Sequence, residues 1–241
     1  MSTLLEGFEC AHEAWAAAVE CVASANVANL IVDFPVGCDR HAAFEQGFEN
    51  FMKSRRLPAL STVVNTVFPR TLVSVSENRR DLYSRYARIY PKILMCRKSR
   101  RGTYFGRMIG YDRNREIGSG VNQIERAISE LSNPKGLRHG AEIALVVPEK
   151  DAHPMGFPCL SHLSLHKDDT SARLTALYRN HYFIKRALGN YLALDALLVF
   201  VSQEAGLSPT TATVISSSAC IDASQQLARD VLELWSTTRG Q

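Results

Sequence analysis

Apolar residues recur at three- and four-residue spacing in several segments of the chain, which is the pattern of an amphipathic helix. This pattern predicts helices over residues 4–24, 44–56, 77–95, 121–131 and 223–235. The third of these contains Pro91, which we expect to kink or end the helix because proline has no backbone N–H. Residues 190–207 are apolar on nearly every face, so they predict a helix that is buried on all sides.

Short runs rich in β-branched and alternating apolar residues predict strands between these helices. The runs are residues 29–34, 60–68, 141–148, 158–166, 172–179 and 212–222. Residues 96–120 are rich in Gly and Arg and predict a loop. The order of these elements predicts an α+β fold, with one domain over residues 1–241, a central mostly antiparallel or mixed sheet and a long buried helix.

Composition narrows the class of protein. The 46% hydrophobic and 22% charged residues are typical of a globular protein with a substantial core. No apolar run reaches the roughly 18 residues that span a bilayer, and the acidic start is unlike a signal peptide, so we expect a cytoplasmic protein without membrane contact. The six cysteines are scattered without a CxxC pair, which favours reduced thiols over a disulfide framework or a metal site.

The net charge of +4 is modest, but basic residues are dense between positions 79 and 115. This region suggests an anionic partner, and a solvated helix face explains many of the same residues equally well. Tyrosines interleave with the arginines, as in nucleic-acid-binding surfaces. Their helical spacing is more typical of core residues, so nucleic-acid binding is the weaker hypothesis.

Cys159 stands in the stretch MGFPCLSHLSLH (155–166) and allows three interpretations. A buried cysteine that only fills space is the commonest state of this residue type. Metal binding together with His162 would supply at most two ligands, and no second cluster stands at a useful spacing. A nucleophilic thiolate requires cationic neighbours, and Arg179 lies at the end of the next predicted strand.

The order of motifs around Cys159 resembles that of the thymidylate synthase family. A Pro-Cys pair precedes a strand, a turn, a strand ending LYRNHY and the helical sequence ALGNYLALDALLVFVSQEAGL. In that family the cysteine is the nucleophile, an arginine twenty residues later binds the nucleotide phosphate, and an asparagine that opens the central helix reads the pyrimidine. Cys159, Arg179 and Asn190 match these positions without a gap. Upstream, VNQIERAISELSNPKGLRHGAEIALVV and GTYFGRMIGY are similar to family segments, and the resemblance covers about residues 100–235.

The resemblance implies C5 methylation or hydroxymethylation of a pyrimidine nucleoside monophosphate with 5,10-methylenetetrahydrofolate as the donor. The thiolate would add to C6 of the ring, and C5 would then attack the one-carbon unit. An asparagine amide both donates and accepts, so Asn190 fits a uracil-type base better than cytosine. The family is homodimeric with shared active sites, which implies that Arg138 reaches the phosphate of a neighbouring subunit.

The sequence also departs from the family pattern at residues with known roles. Tyr182 stands where an aspartate contacts the folate pterin, and Cys220-Ile221-Asp222 replaces a His-x-Tyr motif that binds the sugar. Asp222 is therefore the candidate acceptor for sugar hydroxyls. The segment with the family's catalytic glutamate has no match, and His181 is either a proton-transfer group or a hydrogen-bonding residue. These departures keep a second hypothesis open, a nucleotide-binding relative without one-carbon transfer.

Overall fold

The computed structural model describes residues 2–38, 40–110, 120–133, 140–147, 151 and 158–239. The strands are β1 (Thr3–Leu5), β2 (Val27–Pro35), β3 (Ala141–Ala144), β4 (Leu160–Asp168), β5 (Ser171–Tyr178), β6 (His181–Tyr182) and β7 (Ser208–Cys220). The helices are α1 (Ala11–Ser24), α2 (Ala42–Ser54), α3 (Leu60–Val67), α4 (Arg70–Val73), α5 (Arg79–Met95), α6 (Tyr104–Met108), α7 (Gln123–Ser132), α8 (Leu188–Ala205) and α9 (Gln225–Thr238). A π-helical segment, Phe183–Ala187, leads directly into α8.

One mixed sheet forms the frame, with the strand order β1-β2-β7-β5-β4-β3 and β6 paired to the end of β7. Strand β7 is the longest, and it runs parallel to β5 and β6 but antiparallel to β2. Strands β3, β4 and β5 are antiparallel neighbours. The predicted α+β fold with a mixed sheet is confirmed.

Helix α8 is the predicted buried helix. It packs against α1, α3 and α7 on its sides and against β5 and β7 of the sheet. Every residue from Leu188 to Asp195 is buried, so this part of the helix needs no polar stripe, whereas Gln203 and Glu204 at its C-terminal end are exposed. It ends at Gly206, whose φ of 72° is the left-handed conformation that closes many helices. Neither α8 nor any other helix in the described ranges is long and apolar enough to cross a membrane.

Three local predictions were wrong. Residues 60–68 form helix α3 rather than a strand, because their buried residues Leu60, Val63, Val64 and Val67 have helical spacing that outweighs β-branched propensity. The helix predicted over 4–24 begins only at Ala11, because Thr3–Leu5 pair with β2 as strand β1. Of the two outcomes predicted for Pro91, the helix does not end there, since α5 continues to Met95. The predicted loop contains α6, which begins at Thr103, whose side chain accepts a hydrogen bond from the Gly106 N–H.

Helices α3 and α8 approach closely at Gly189. A Cβ atom built there would lie 2.7 Å from both Cβ and Cγ1 of Val63. We therefore expect Gly189→Ala to lower the free energy of unfolding by about 1–3 kcal/mol, although alanine is the better helix former. Chemical denaturation measures this effect. Gly47→Ala in α2 is the matched control, because the nearest atom to its added Cβ is Leu234 Cδ1 at 3.5 Å, an ordinary contact. Equal effects of the two variants would contradict the prediction.

Candidate active site

A cavity of about 710 Å³ opens where α3, the loop before α6, the start of β4 and the β5–β6 turn meet. Four of the residues singled out in the sequence line it, namely Cys159, Arg179, Tyr182 and Asn190. Its other walls come from Pro58, Ala59, Thr62, Val63, Thr66, Cys96, Lys98, Ser99, Gly102, Thr103, Tyr104, Tyr178, Asn180, His181 and Arg186. A volume of this size is typical of small-molecule sites.

Cys159 lies half-buried at the entrance to β4, immediately after Pro158. Tyr104 holds the backbone here, since its Oη accepts hydrogen bonds from the N–H groups of Cys159 and Leu160 at 3.2 and 3.4 Å. The Cys159 carbonyl in turn accepts from the Arg179 N–H at 3.0 Å. Burial, followed by the charge of Cys159, raises the pKa of Tyr104 to about 12, so this phenol stays protonated at neutral pH. The backbone of Cys159 is therefore anchored on both sides in the cavity wall.

The formally charged side chains among the described lining residues of the cavity are all positive. Lys98, Arg179 and Arg186 all line it, from three different segments of the chain. Among the lining residues that the structure describes, none is a carboxylate. Guanidinium and ammonium groups are the usual partners of phosphate, and cations also favour an ionised thiol. The electrostatics therefore suit an anionic ligand beside Cys159.

Asn190 is held by a buried network at the start of α8. Its Nδ2 lies 2.9 Å from His181 Nε2, and His181 Nδ1 lies 2.9 Å from Ser216 Oγ. The His181 ring also stacks on Tyr178, with centroids 4.1 Å apart. Burial lowers the pKa of His181 to about 3, so the ring is neutral. A neutral ring that accepts from the amide donates through Nδ1–H to Ser216, and it leaves Asn190 Oδ1 available.

This network predicts a pH dependence of stability. In the unfolded chain His181 gains its proton near the ordinary histidine pKa of 6.5, whereas burial delays protonation in the folded chain until about pH 3. Stability from this group is therefore complete above about pH 6.5 and falls by up to about 1.4 kcal/mol per pH unit below it. We expect the difference in unfolding free energy between the wild type and His181→Gln to shrink as the pH drops from 7 to about 4.

The comparison with the variant is needed because another buried group titrates in the same range. Burial raises the pKa of Asp195 to about 6, so that carboxyl gains a proton in the folded chain as the pH falls. Its contribution to stability has the opposite sign and is present in both proteins, where it cancels. Urea denaturation at several pH values measures the difference, and a constant difference would contradict the assignment of the buried neutral ring.

The other predicted site residues that the structure describes lie at the rim of the cavity or outside it. Tyr182 is at the rim of the cavity with 40% of its surface exposed. Asp222 is not among the lining residues; its Oδ1 accepts from the N–H groups of Ile184 and Lys185 at 3.1 and 3.2 Å and caps the π-helical segment. The geometry thus gives Asp222 a structural task and no contact with the cavity. Arg138 lies outside the described residues.

His162 does not join Cys159. It lies across the sheet surface from Glu142 of β3, with which it forms a hydrogen bond, and it does not line the cavity. A register shift between Leu160 and His162 interrupts the regular alternation of β4. The geometry therefore offers no support for a metal site formed by Cys159 and His162.

Several basic residues between positions 79 and 115 form ion pairs within the fold, while Lys98 lines the cavity. Arg79 pairs with Glu125 and Glu204, and Arg85 pairs with Asp81. Tyr86 is 1% exposed and belongs to the core. These contacts favour the solvated helix face over a nucleic-acid surface.

Sequence reasoning missed three residues of the site. Tyr104 was seen only as part of a similar segment, and Lys98 and Arg186 were not singled out. No local signal marks them, because they reach the cavity from segments far apart in the chain. Only the three-dimensional arrangement identifies them.

Comparisons with known proteins give relatives of one kind. Over 101 residues the chain is 35% identical to a protein of Methanococcoides burtonii and 33% identical to one of Methanopyrus kandleri, each named "Putative thymidylate synthase". A protein of the same name from Methanosarcina mazei is 29% identical over 99 residues. These matches cover 42%, 42% and 41% of this chain and 46%, 48% and 45% of the relatives, so the chain spans about half the length of the curated relatives it matches. No family model matches the chain.

Proposed function

We propose, from the divergent thymidylate synthase-like family that these archaeal relatives support, that the chain modifies C5 of a pyrimidine nucleoside monophosphate. The observation that carries the proposal is the convergence of Cys159, Arg179 and Asn190 on one cavity rich in cations. The reaction class is transfer of a methyl or hydroxymethyl group. We extend the proposal to one thymidylate synthase-like domain over residues 1–241.

The first step is covalent activation of the base. The thiolate of Cys159 adds to C6 of the pyrimidine, and the electron pair of the C5–C6 double bond moves towards C5 and O4. Carbon C5 then has the character of an enolate carbon and can attack an electrophile. Lys98, Arg179 and Arg186 around the cavity support this step because nearby cations favour the ionised thiol.

Asn190 selects the base in this proposal. Asn190 donates one amide hydrogen to His181. Its second amide hydrogen can be donated to O4 of uracil, and its amide oxygen can accept from N3–H. Cytosine presents an acceptor at N3 and an amino group at C4, so it opposes this arrangement. His181 and Ser216 hold the amide in the orientation that fits uracil.

The cations provide the phosphate site. Arg179 follows β5 directly and is exposed at the cavity, where its planar guanidinium suits bidentate binding of phosphate oxygens. Lys98 and Arg186 add positive charge nearby. We also propose a homodimer in which Arg138 of a neighbouring subunit completes this phosphate site. Size determination in solution, for example by light scattering, tests the dimer.

The residues fit a methylenetetrahydrofolate donor only in part. A pterin has a flat face and several N–H donors. Tyr182 offers a partly exposed ring at the cavity rim, but no carboxylate among the described lining residues accepts from those donors. When bound, the folate would supply a one-carbon unit at the oxidation level of formaldehyde, which suffices for a hydroxymethyl product, and for a methyl product it would also supply the hydride that reduces this unit. Tyr182 is the residue of this chain that would hold its ring.

The missing carboxylate favours a second candidate function. A relative that binds a nucleotide as a sensor or interaction protein needs the cations and the base-reading amide but no acid–base group. In this case nucleotides raise the melting temperature and folates have no effect, because only a ligand of the native state stabilises it. Formation of a C5-modified nucleotide from UMP or dUMP with methylenetetrahydrofolate, followed by mass spectrometry, decides between the two.

We expect Arg179→Ala to weaken binding of UMP or dUMP by about 10–100-fold, because a charge-assisted hydrogen bond contributes about 1.5–3 kcal/mol. Binding of the nucleoside, which has no phosphate, should change little. Isothermal titration calorimetry measures both. Arg173→Ala is the matched control, since Arg173 belongs to β5, is exposed and pairs with Asp168 away from the cavity. Equal weakening of nucleoside and nucleotide would contradict the phosphate role.

A further inference from the structure

A second cluster of reactive side chains lies apart from the active-site cavity. Cys10 is the residue before α1, Cys38 follows β2, and His41 precedes α2. One donor atom from each of these residues lies within 4.8 Å of the other two. None of the three lines the cavity that contains Cys159. The fold therefore brings the thiol of Cys10 next to a thiol and an imidazole of the β2–α2 connection.

We propose that Cys10, Cys38 and His41 bind one zinc ion. Sulfur and imidazole nitrogen are the ligands that zinc prefers, whereas calcium and magnesium require oxygen. Zn–S bonds of about 2.3 Å in a tetrahedron place sulfur atoms ~3.8 Å apart. The donor atoms of the cluster lie within 4.8 Å of one another, so a small shift of the side chains would bring them to coordinating distances.

His12 provides an independent observation next to this cluster. Its side chain is 1% exposed, and its ring centroid lies 4.9 Å from that of His41. Nε2 is 3.2 Å from Glu45 Oε1, while Nδ1 is buried without a hydrogen-bond partner in the described part of the chain. Metal-binding histidines commonly pair one ring nitrogen with a carboxylate and leave the other for the ion. His12 is not among the donor atoms that lie within 4.8 Å of one another, so a role as fourth ligand would require its ring to move towards the cluster.

The surroundings give an ion a route to the cluster. Cys38 and Glu45 line a second cavity of about 330 Å³, together with Asp195 and Arg70. Two thiolates balance the charge of a divalent ion, and the imidazole of His41 adds a neutral third ligand. The ion would join the start of α1 to the β2–α2 connection, which assigns it a structural role. This proposal does not depend on the proposed reaction at Cys159.

Metal analysis of the purified chain tests the site. We expect one equivalent of zinc to remain after dialysis against metal-free buffer. Zinc affinity should fall in Cys10→Ser and Cys38→Ser by more than the ~10–100-fold that is typical for loss of an outer partner. Cys21→Ser is the matched control, because Cys21 is a partly buried thiol of α1 outside the cluster. It should retain the full equivalent.

Cobalt substitution avoids the risk that a variant does not fold. Cobalt added to the metal-depleted wild-type chain should produce an intense thiolate-to-metal charge-transfer band and the visible absorption of a tetrahedral ion. Zinc should remove both signals. Three results would each overturn the proposal: no thiolate band, zinc binding that is unchanged in both cysteine variants, or a disulfide between Cys10 and Cys38 in the isolated protein.

Discussion

Cys159→Ala is expected to abolish covalent capture of 5-fluoro-UMP or 5-fluoro-dUMP completely. In the proposed reaction the thiolate adds to C6, and fluorine at C5 cannot leave as a proton does, so the covalent complex accumulates. Cys159 lies half-buried between Tyr104 and Arg179, in a cavity with three cations. No other cysteine of the chain matches the family position. Intact mass spectrometry, with and without methylenetetrahydrofolate, measures the adduct.

Cys96→Ser is the sharpest control for this experiment. Cys96 lines the same cavity but is exposed, so an unspecific thiol reagent would react there first. We expect the adduct to persist in Cys96→Ser at the wild-type level. An adduct that persists in Cys159→Ala, or no adduct in the wild type together with full activity of Cys159→Ala, would disprove the nucleophilic role.

Arg107→Ala is expected to cause the largest loss of stability, about 3–5 kcal/mol. Arg107 of α6 and Asp151 form a bidentate ion pair, with Nη2–Oδ1 at 2.9 Å, and their side chains are only 3% and 6% exposed. Arg107 Nη1 also donates to the Leu145 carbonyl at 2.7 Å, and Asp151 accepts from the Val147 N–H at 2.8 Å. Removal of the arginine leaves a buried carboxylate without its counter-charge. Urea denaturation measures the loss.

A double variant separates the cost of an unpaired charge from the loss of the interaction itself. Replacing both partners by apolar residues, as in Arg107→Met with Asp151→Leu, leaves no buried charge. We expect this variant to regain most of the stability that Arg107→Ala loses. The surface pair Arg126–Glu130 is the matched control, since Arg126→Ala at an exposed pair should cost less than about 1 kcal/mol. Similar losses in Arg107→Ala and Arg126→Ala would contradict the prediction.

Much of the frame was predictable because it depends on local patterns. The uniform apolar character of α8 indicated burial on all sides, and alternation located β4 and β5 within two residues. Helix α3 was not predicted, since Val63 and Val64 satisfy both a β-propensity and a helical spacing. Contact with α8 at Gly189 selects the helix, and that contact is not visible in a single sequence.

The candidate site was also predictable only in part. The spacing of Cys159, Arg179 and Asn190 matched a family motif, and these residues do line one cavity. The pairing of His181 with Asn190 was not predicted, because the depth of the ring depends on how Tyr178 and β7 cover it. The Cys10–Cys38–His41 cluster was missed for the same reason, as its members meet only after β2 and α1 have packed.

The burial of the first half of α8 has a consequence for motion. Every residue from Leu188 to Asp195 is buried, and amide hydrogens in such a segment exchange with solvent mainly when the whole domain unfolds, so this half of α8 should be among the slowest-exchanging parts of the chain. Asn190 belongs to the first turns of this helix, whereas Arg179 and Lys98 stand on exposed connections. The base would then bind to a rigid part of the protein at Asn190, while the phosphate would be bound by the more mobile side chains of Arg179 and Lys98.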